Sequence, residues 1–194
     1  MPCVFECDRP YPFHEPGSGC QFSVAEEDLT EFDGKTWCAF HLPMKDKDGA
    51  PSPKKKWDKE KVREFNNRIF GHIERAKEED RAVDMTGVAF PGNIAFSRFD
   101  RDNPLQKACF LRVQFNDYAD FRKTAFSDDV NFRKATFSAH VNFREATFSG
   151  DAFFYKAAFN GTATFRDAAF NGGANFAGSP GDEVQPSNSF HFAD

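Results

Sequence analysis

From residue 110 to residue 176 the chain places phenylalanine at steps that alternate between five and six: Phe110, Phe115, Phe121, Phe126, Phe132, Phe137, Phe143, Phe148, Phe154, Phe159, Phe165, Phe170 and Phe176. Two positions before these rings stand small or branched residues, among them Ala119, Thr124, Val130, Ala135, Val141, Ala146, Ala152, Ala157, Ala163, Ala168 and Ala174. A spacing of two turns both side chains to the same side of an extended backbone. A helix fails this requirement, because at about 100° per residue a five-residue step swings the ring by about 140°. Each unit therefore reads as a short strand and a corner, with Phe and its small partner facing inward. One such unit cannot bury its own apolar face. Stacked coils can, and that makes a solenoid.

The six-residue steps contain Ser127-Asp128-Asp129, Ser149-Gly150-Asp151, Asn160-Gly161 and Asn171-Gly172-Gly173. These residue types tolerate tight or left-handed corners. The five-residue steps are poorer in them, with Arg133-Lys134, Arg144-Glu145 and Tyr155-Lys156. Alternate corners are expected to be one residue longer.

The stretches "ADFRKTAF", "VNFRKATF" and "ANFAG" resemble the pentapeptide-repeat family, whose loose pattern is Ala-x-(Leu or Phe)-x-x. The resemblance implies a mainly β fold, a right-handed quadrilateral β-helix with four units per coil. Two eleven-residue pairs then make a 22-residue coil, in which Phe132 lies over Phe154 and Phe143 over Phe165. The match covers 105–177 and extends through Met85, Val88, Phe90, Ile94 and Phe96, so the β-helix is expected over 85–177. The phase is lost between Phe96 and Leu105, and "SRFDRDNP" there reads as a protruding loop.

Ahead of the repeats, residues 44–52, "MKDKDGAPS", read as a linker. An amphipathic helix is expected over 53–80, with Ser52 as cap and Pro53 in its first turn. Its apolar face comprises Val62, Phe65, Ile69, Ile73 and Ala76. An open solenoid end exposes rings and strand edges, and this helix is placed to cap it. The tail, 178–194, is loop-like and acidic, with Phe190 and Phe192 able to fold back over the last coil.

Residues 1–43 hold four of the five cysteines and carry a charge of −6. So short and acidic a segment has little core of its own and needs a staple. Cys3-x3-Cys7 and Cys38-x2-His41 are two close pairs that can offer four soft ligands to one structural zinc, with Cys20 and His14 as spare candidates. "WCAFHLP" resembles the Cys-x-x-His half of short treble-clef-like or knuckle modules, and such segments precede repeats in some bacterial family members. Four protein ligands close the coordination shell, which favours a structural over a catalytic metal.

No apolar run approaches the ~18 residues of a membrane span, and "MPCVFECDRP" lacks the order of a secretory signal. A cytoplasmic setting follows, in which cysteines serve as ligands or plain thiols. No phosphate-binding loop, nucleophile elbow or paired-carboxylate motif is present. His72, His140 and His191 are isolated in sequence. Cys109, between inward Ala108 and Phe110, is expected to face outward or under a covering segment.

The leading reading is a non-enzymatic interaction or scaffold protein with an unknown protein partner. The resemblance supplies an alternative, since quinolone-resistance members of the family resemble DNA and engage type II topoisomerases. Those members are long acidic rods, whereas residues 105–177 carry nine Lys/Arg and seven Asp/Glu. A zinc-dependent enzyme is a third reading. The acidic N-terminal module lacks the basic footprint that nucleic-acid binding needs. Arg122, Arg144 and Arg166 form one column under a 22-residue coil, with Arg133 and Tyr155 opposite. That column is either a self-paired structural ladder or a set of forked donors for an acidic partner.

Overall fold

The computed structural model describes residues 20–22 and 28–176 and the backbone of residues 190–191. A two-stranded antiparallel hairpin comes first, β1 (Leu29–Phe32) and β2 (Lys35–Cys38), closed by Asp33 and Gly34 at positive φ. One helix follows, α1 (Lys59–Glu78). Beyond it stand two-residue strands from Ala89–Phe90 to Ala174–Asn175. They stack into four parallel sheets, one per side of a solenoid of about four turns.

Register sets the coil length. Val141 pairs with Ala119 on one side and Ala163 on the other, and Thr147 pairs with Ala125 and Ala169, all offsets of 22 residues. The first coil is longer, since Ala89 pairs with Gln114 and Ile94 with Ala119. Its extra residues sit in the loop between Phe99 and Leu105. There Ala125 N–H donates to the Phe99 carbonyl and Leu105 N–H to the Ala125 carbonyl, so the intervening segment bulges out.

The core is four columns of phenylalanine. Phe90, Phe115, Phe137 and Phe159 stack at 4.9 Å with planes within 7°. Phe96, Phe121, Phe143 and Phe165 stack at 4.6–4.9 Å. Phe110, Phe132, Phe154 and Phe176 form the third column, and Phe126, Phe148 and Phe170 the fourth. Neighbouring columns meet edge-to-face, as Phe132 and Phe143 do at 5.6 Å and 79°. Both arrangements suit the ring quadrupole. The small partners, such as Ala135, Ala146 and Ala152, are fully buried and leave room for the rings.

The corners differ from expectation in one respect. Left-handed residues fall in the five-residue steps, at Arg112, Lys123, Lys134, Glu145, Lys156 and Asp167, with φ of 56–60°. Each closes a β-turn in which, for example, Ala135 N–H donates to the Phe132 carbonyl and Ala146 N–H to that of Phe143. A left-handed third residue is what such a turn requires. The residue before Phe supports it: Asp120, Asn131 and Asn142 each accept from the N–H two residues on, at Arg122, Arg133 and Arg144. Glycine in the longer corners answers a different need. A Cβ on Gly161 would stand 2.5 Å from the Ala139 carbonyl carbon, and one on Gly172 2.5 Å from the Gly150 oxygen. Stacked corners approach too closely there for a side chain.

Helix α1 begins later than Ser52. Pro53–Lys56 form a 3₁₀ turn, and the α-helix starts after Asp58, whose side chain accepts from Lys61 N–H at 2.8 Å. Trp57 separates the two with an extended backbone. The buried face is Phe65, Ile69, His72, Ile73 and Ala76, with Val62 only half-buried. Phe65 meets Phe90 edge-on at 5.8 Å, and Phe70 meets Phe96 at 6.2 Å. Phe90 and Phe96 are the first rings of their columns, so α1 lies across the start of the ladder. At the other end, the Phe190–His191 strand pairs in parallel with Ala163–Thr164. Its offset is 27 residues rather than 22, so the tail rejoins that sheet five residues late. Phe192 lies outside the described residues.

Candidate metal centre and arginine column

β2 ends at Cys38, whose carbonyl accepts from both His41 N–H (3.2 Å) and Leu42 N–H (2.9 Å). This tight turn swings the His41 ring back beside the Cys38 side chain. Cys20 joins them. Its sulfur is 3.5 Å from Cys38 Sγ and 3.4 Å from His41 Nδ1, and Cys38 Sγ is 3.3 Å from Nδ1. Tetrahedral zinc would place two sulfurs about 3.8 Å apart and a sulfur and a nitrogen about 3.6 Å apart. The three atoms, a few tenths of an ångström closer than that, are near enough to occupy three corners of one coordination tetrahedron. Cys38 and His41 are buried, and Cys20 is half-buried.

The tautomer of His41 is fixed by its other nitrogen. Nε2 lies 3.1 Å from the Thr86 carbonyl, which can only accept, so Nε2 carries the proton and the Nδ1 lone pair faces the sulfurs. An oriented, outer-shell-bonded imidazole of this kind is the usual form of a metal ligand. Cys20, Cys38 and His41 can thus bind a metal ion. Of the four ligands expected from the sequence, Cys38 and His41 are in the cluster. Cys3 and Cys7 lie outside the described residues, as does His14. Cys20 stands in the cluster as a member of the set, a role the spacing of the close pairs gave no reason to prefer.

The cluster is docked on the first coil. Besides His41, Gln21 Nε2 donates to the Thr86 carbonyl at 3.1 Å, and Ala89 N–H donates to the Phe40 carbonyl at 2.9 Å. Phe22 stacks on Phe40 at 4.0 Å and leans on His72 at 4.5 Å. His72 is buried in this contact, and burial pushes its pKa below the ordinary value.

Lys54 is the residue that sequence reasoning missed. "PKKKW" reads as an exposed basic run, yet Lys54 is wholly buried. Its Nζ donates to the carbonyls of Ala39 (2.5 Å) and Phe40 (3.3 Å), the two residues between Cys38 and His41. The Phe65 ring lies 4.5 Å away and Trp57 at 5.3 Å. Desolvation lowers its pKa from 10.5 to about 7, opposed by the nearby Cys38.

On the solenoid, Arg122, Arg144 and Arg166 stand in one column, because Asp120, Asn142 and Thr164 are in register and Lys123 and Glu145 N–H donate to the Arg144 and Arg166 carbonyls. Their side chains are 54%, 47% and 62% exposed. Each has a carboxylate partner: Arg122 pairs with Asp120 at 2.7 Å, Arg144 with Glu145 at 3.1 Å, and Arg166 with Asp167 at 3.4 Å. On the opposite side Arg133 covers the Phe153 ring at 4.4 Å. His140 is exposed, and its Nδ1 accepts from Thr162 N–H one coil later. Cys109 is buried with Leu111 outside the phenylalanine columns, in contact with Thr86 Oγ1.

Residues 110–158 and 139–180 match a family model described as pentapeptide repeats (9 copies). The solenoid is built of pentapeptide repeats. Each pentapeptide supplies one side of the coil, and the four columns of rings are its central position. No curated protein and no solved structure matches the chain. Proteins built on this solenoid are generally non-enzymatic. Among the described residues, no helix is long and apolar enough to cross a membrane.

Proposed function

We propose that this chain is a non-enzymatic, cytoplasmic interaction module. A pentapeptide-repeat solenoid is closed at its N-terminal end by α1 and a zinc-stapled module, and offers one side to an acidic protein surface. The observation that carries this reading is the column of Arg122, Arg144 and Arg166. Three half-exposed guanidinium groups lie one rung apart on a rigid ladder. Guanidinium forks pair bidentately with carboxylates; Asp120 holds Arg122 through Nε and Nη2, whereas Arg144 and Arg166 meet Glu145 and Asp167 at Nε. Rigid spacing lowers the ordering cost of engaging several carboxylates together.

Zinc belongs to the same reading. Cys20, Cys38 and His41 would hold it, with the fourth position open to Cys3, Cys7 or His14. The bound ion would supply structural cross-linking of a segment that has little apolar core. Support comes from the donor set of two sulfurs and an imidazole, and from the outer hydrogen bond to Thr86. A duplex-mimic role fits less well, because residues 105–177 carry a charge of +2.

The test replaces Arg122, Arg144 and Arg166 together by Gln. Capture of protein partners from native lysate is compared with that of the parent chain, at matched melting temperature. Loss of specific partners supports the column as the binding side. Unchanged capture assigns the arginines to structure alone.

A further inference from the structure

Resting on the zinc reading, we propose that Cys20 and Cys38 are a peroxide-oxidisable pair whose disulfide replaces the metal as the staple of the N-terminal module. The two sulfurs stand 3.5 Å apart, so closure to about 2.05 Å is a movement of only about 1.5 Å. Cys38 is held at the end of β2, with its carbonyl engaged by two N–H groups. Cys20 is the partner that peroxide reaches, since it is half-buried while Cys38 is fully buried.

The chemistry balances with a peroxide as the named oxidant. The Cys20 sulfur attacks the peroxide O–O bond, giving a sulfenic acid and releasing water from hydrogen peroxide. The Cys38 sulfur then displaces that hydroxyl as a second water, and the S–S bond forms. In sum, two thiolates, one hydrogen peroxide and two protons give one disulfide and two waters. Disulfide sulfur is no ligand for zinc, which needs the thiolate, so the ion leaves as the bond closes.

What distinguishes this site from an ordinary oxidation-sensitive zinc site is what stays in place afterwards. Gln21, next to Cys20, donates to the Asp84 and Thr86 carbonyls, and Phe22 stacks on Phe40. A Cys20–Cys38 bond keeps this segment where the metal held it. His41 keeps its own bond to Thr86. The module would thus be fastened by metal under reducing conditions and by a covalent bond under oxidising ones, while ejected zinc reports the change.

The experiment uses the full chain loaded with zinc alone and treated with hydrogen peroxide. Released zinc is read by a colorimetric chelator, linkages by peptide mapping without reduction, and stability by melting. The expected result is a Cys20–Cys38 linkage and about one zinc released per linked chain. The oxidised chain should melt above the reduced, chelator-stripped chain, and thiol reductant with zinc should restore the starting state. A Cys109→Ser variant should behave as the parent does. The idea is overturned if the sulfurs pass to sulfinic acid, if the linkage runs through Cys3 or Cys7, or if the oxidised chain melts with the reduced metal-free one. A chain that never retains zinc would refute the zinc reading alone, because the linkage and melting order are still read on metal-free protein.

Discussion

Phe143 lies flat on Phe165, with centroids 4.9 Å apart and planes 8° from parallel, while Phe132 meets it edge-on from the neighbouring column. Each interior ring is therefore held from above, below and the side. Phe143→Ala should cost ~3–5 kcal/mol by leaving a cavity that its stacked neighbours cannot fill. Phe170, half-buried in the last described coil, should cost less. Urea unfolding of the two variants, compared at equal m-value, checks the order.

The charged corner residues make an opposite kind of prediction. Lys134 sits at φ 56° in a turn that glycine adopts without strain. Lys134→Gly should be neutral or stabilising by up to about 1 kcal/mol. Gly161→Ala should destabilise by ~1–3 kcal/mol, because the new methyl meets the Ala139 backbone. Thermal melts of both variants would show opposite signs. A destabilised Lys134→Gly would mean that the lysine side chain, not its conformation, matters there.

Lys54 predicts how stability changes with pH. Its folded pKa is about 7 against an ordinary 10.5, so between those values the unfolded chain holds the extra proton. Stability should rise with pH across that window, by as much as a few kcal/mol, with the full cost present below about 7. Lys54→Met removes this slope. Denaturant midpoints measured from pH 6 to pH 10 on parent and variant give the comparison.

Chelation should act locally. With zinc removed under reducing conditions, amides of β1, β2 and residues 20–22 should lose hydrogen-exchange protection, while those of 119–170 keep it. Cys20→Ser should give up the metal and Cys109→Ser should not. Uniform loss of protection along the solenoid would make the metal a determinant of the whole fold.

The purified chain should leave DNA gyrase supercoiling unaffected at concentrations where an acidic duplex mimic blocks it, since the solenoid lacks that charge. Dose-dependent inhibition would reverse the preference between the two readings.

The solenoid was legible because its period is local. Phe and its partner two residues earlier declare the strand, and the alternation of five and six declares the corners. The left-handed positions were not, since Lys123, Lys134 and Glu145 are poor local candidates and are held by stacking on the next coil. Asp120, Asn131 and Asn142 were the available signal, each placed to accept an N–H two residues on. Helix α1 was legible from its apolar face, although Asp58 rather than Ser52 caps it. The metal cluster was half legible. Cys38-x2-His41 is a sequence feature, whereas Cys20 reaches it only through the path of the chain in space. Lys54 left no trace, because three adjacent lysines look alike until one turns inward.

The 22-residue coil has a consequence for how such a chain changes length. The sequence repeats every eleven residues but the structure returns to the same side only every second unit. Duplicating one eleven-residue unit would turn everything after it by half a revolution. Arg144 and Arg166 would then pass to the side now held by Arg133 and Tyr155, with every ring still stacked. Only duplications in pairs keep a face continuous. A binding side on this scaffold is thus inherited with even parity, and a single odd insertion would divide it between two opposite walls without disturbing the core.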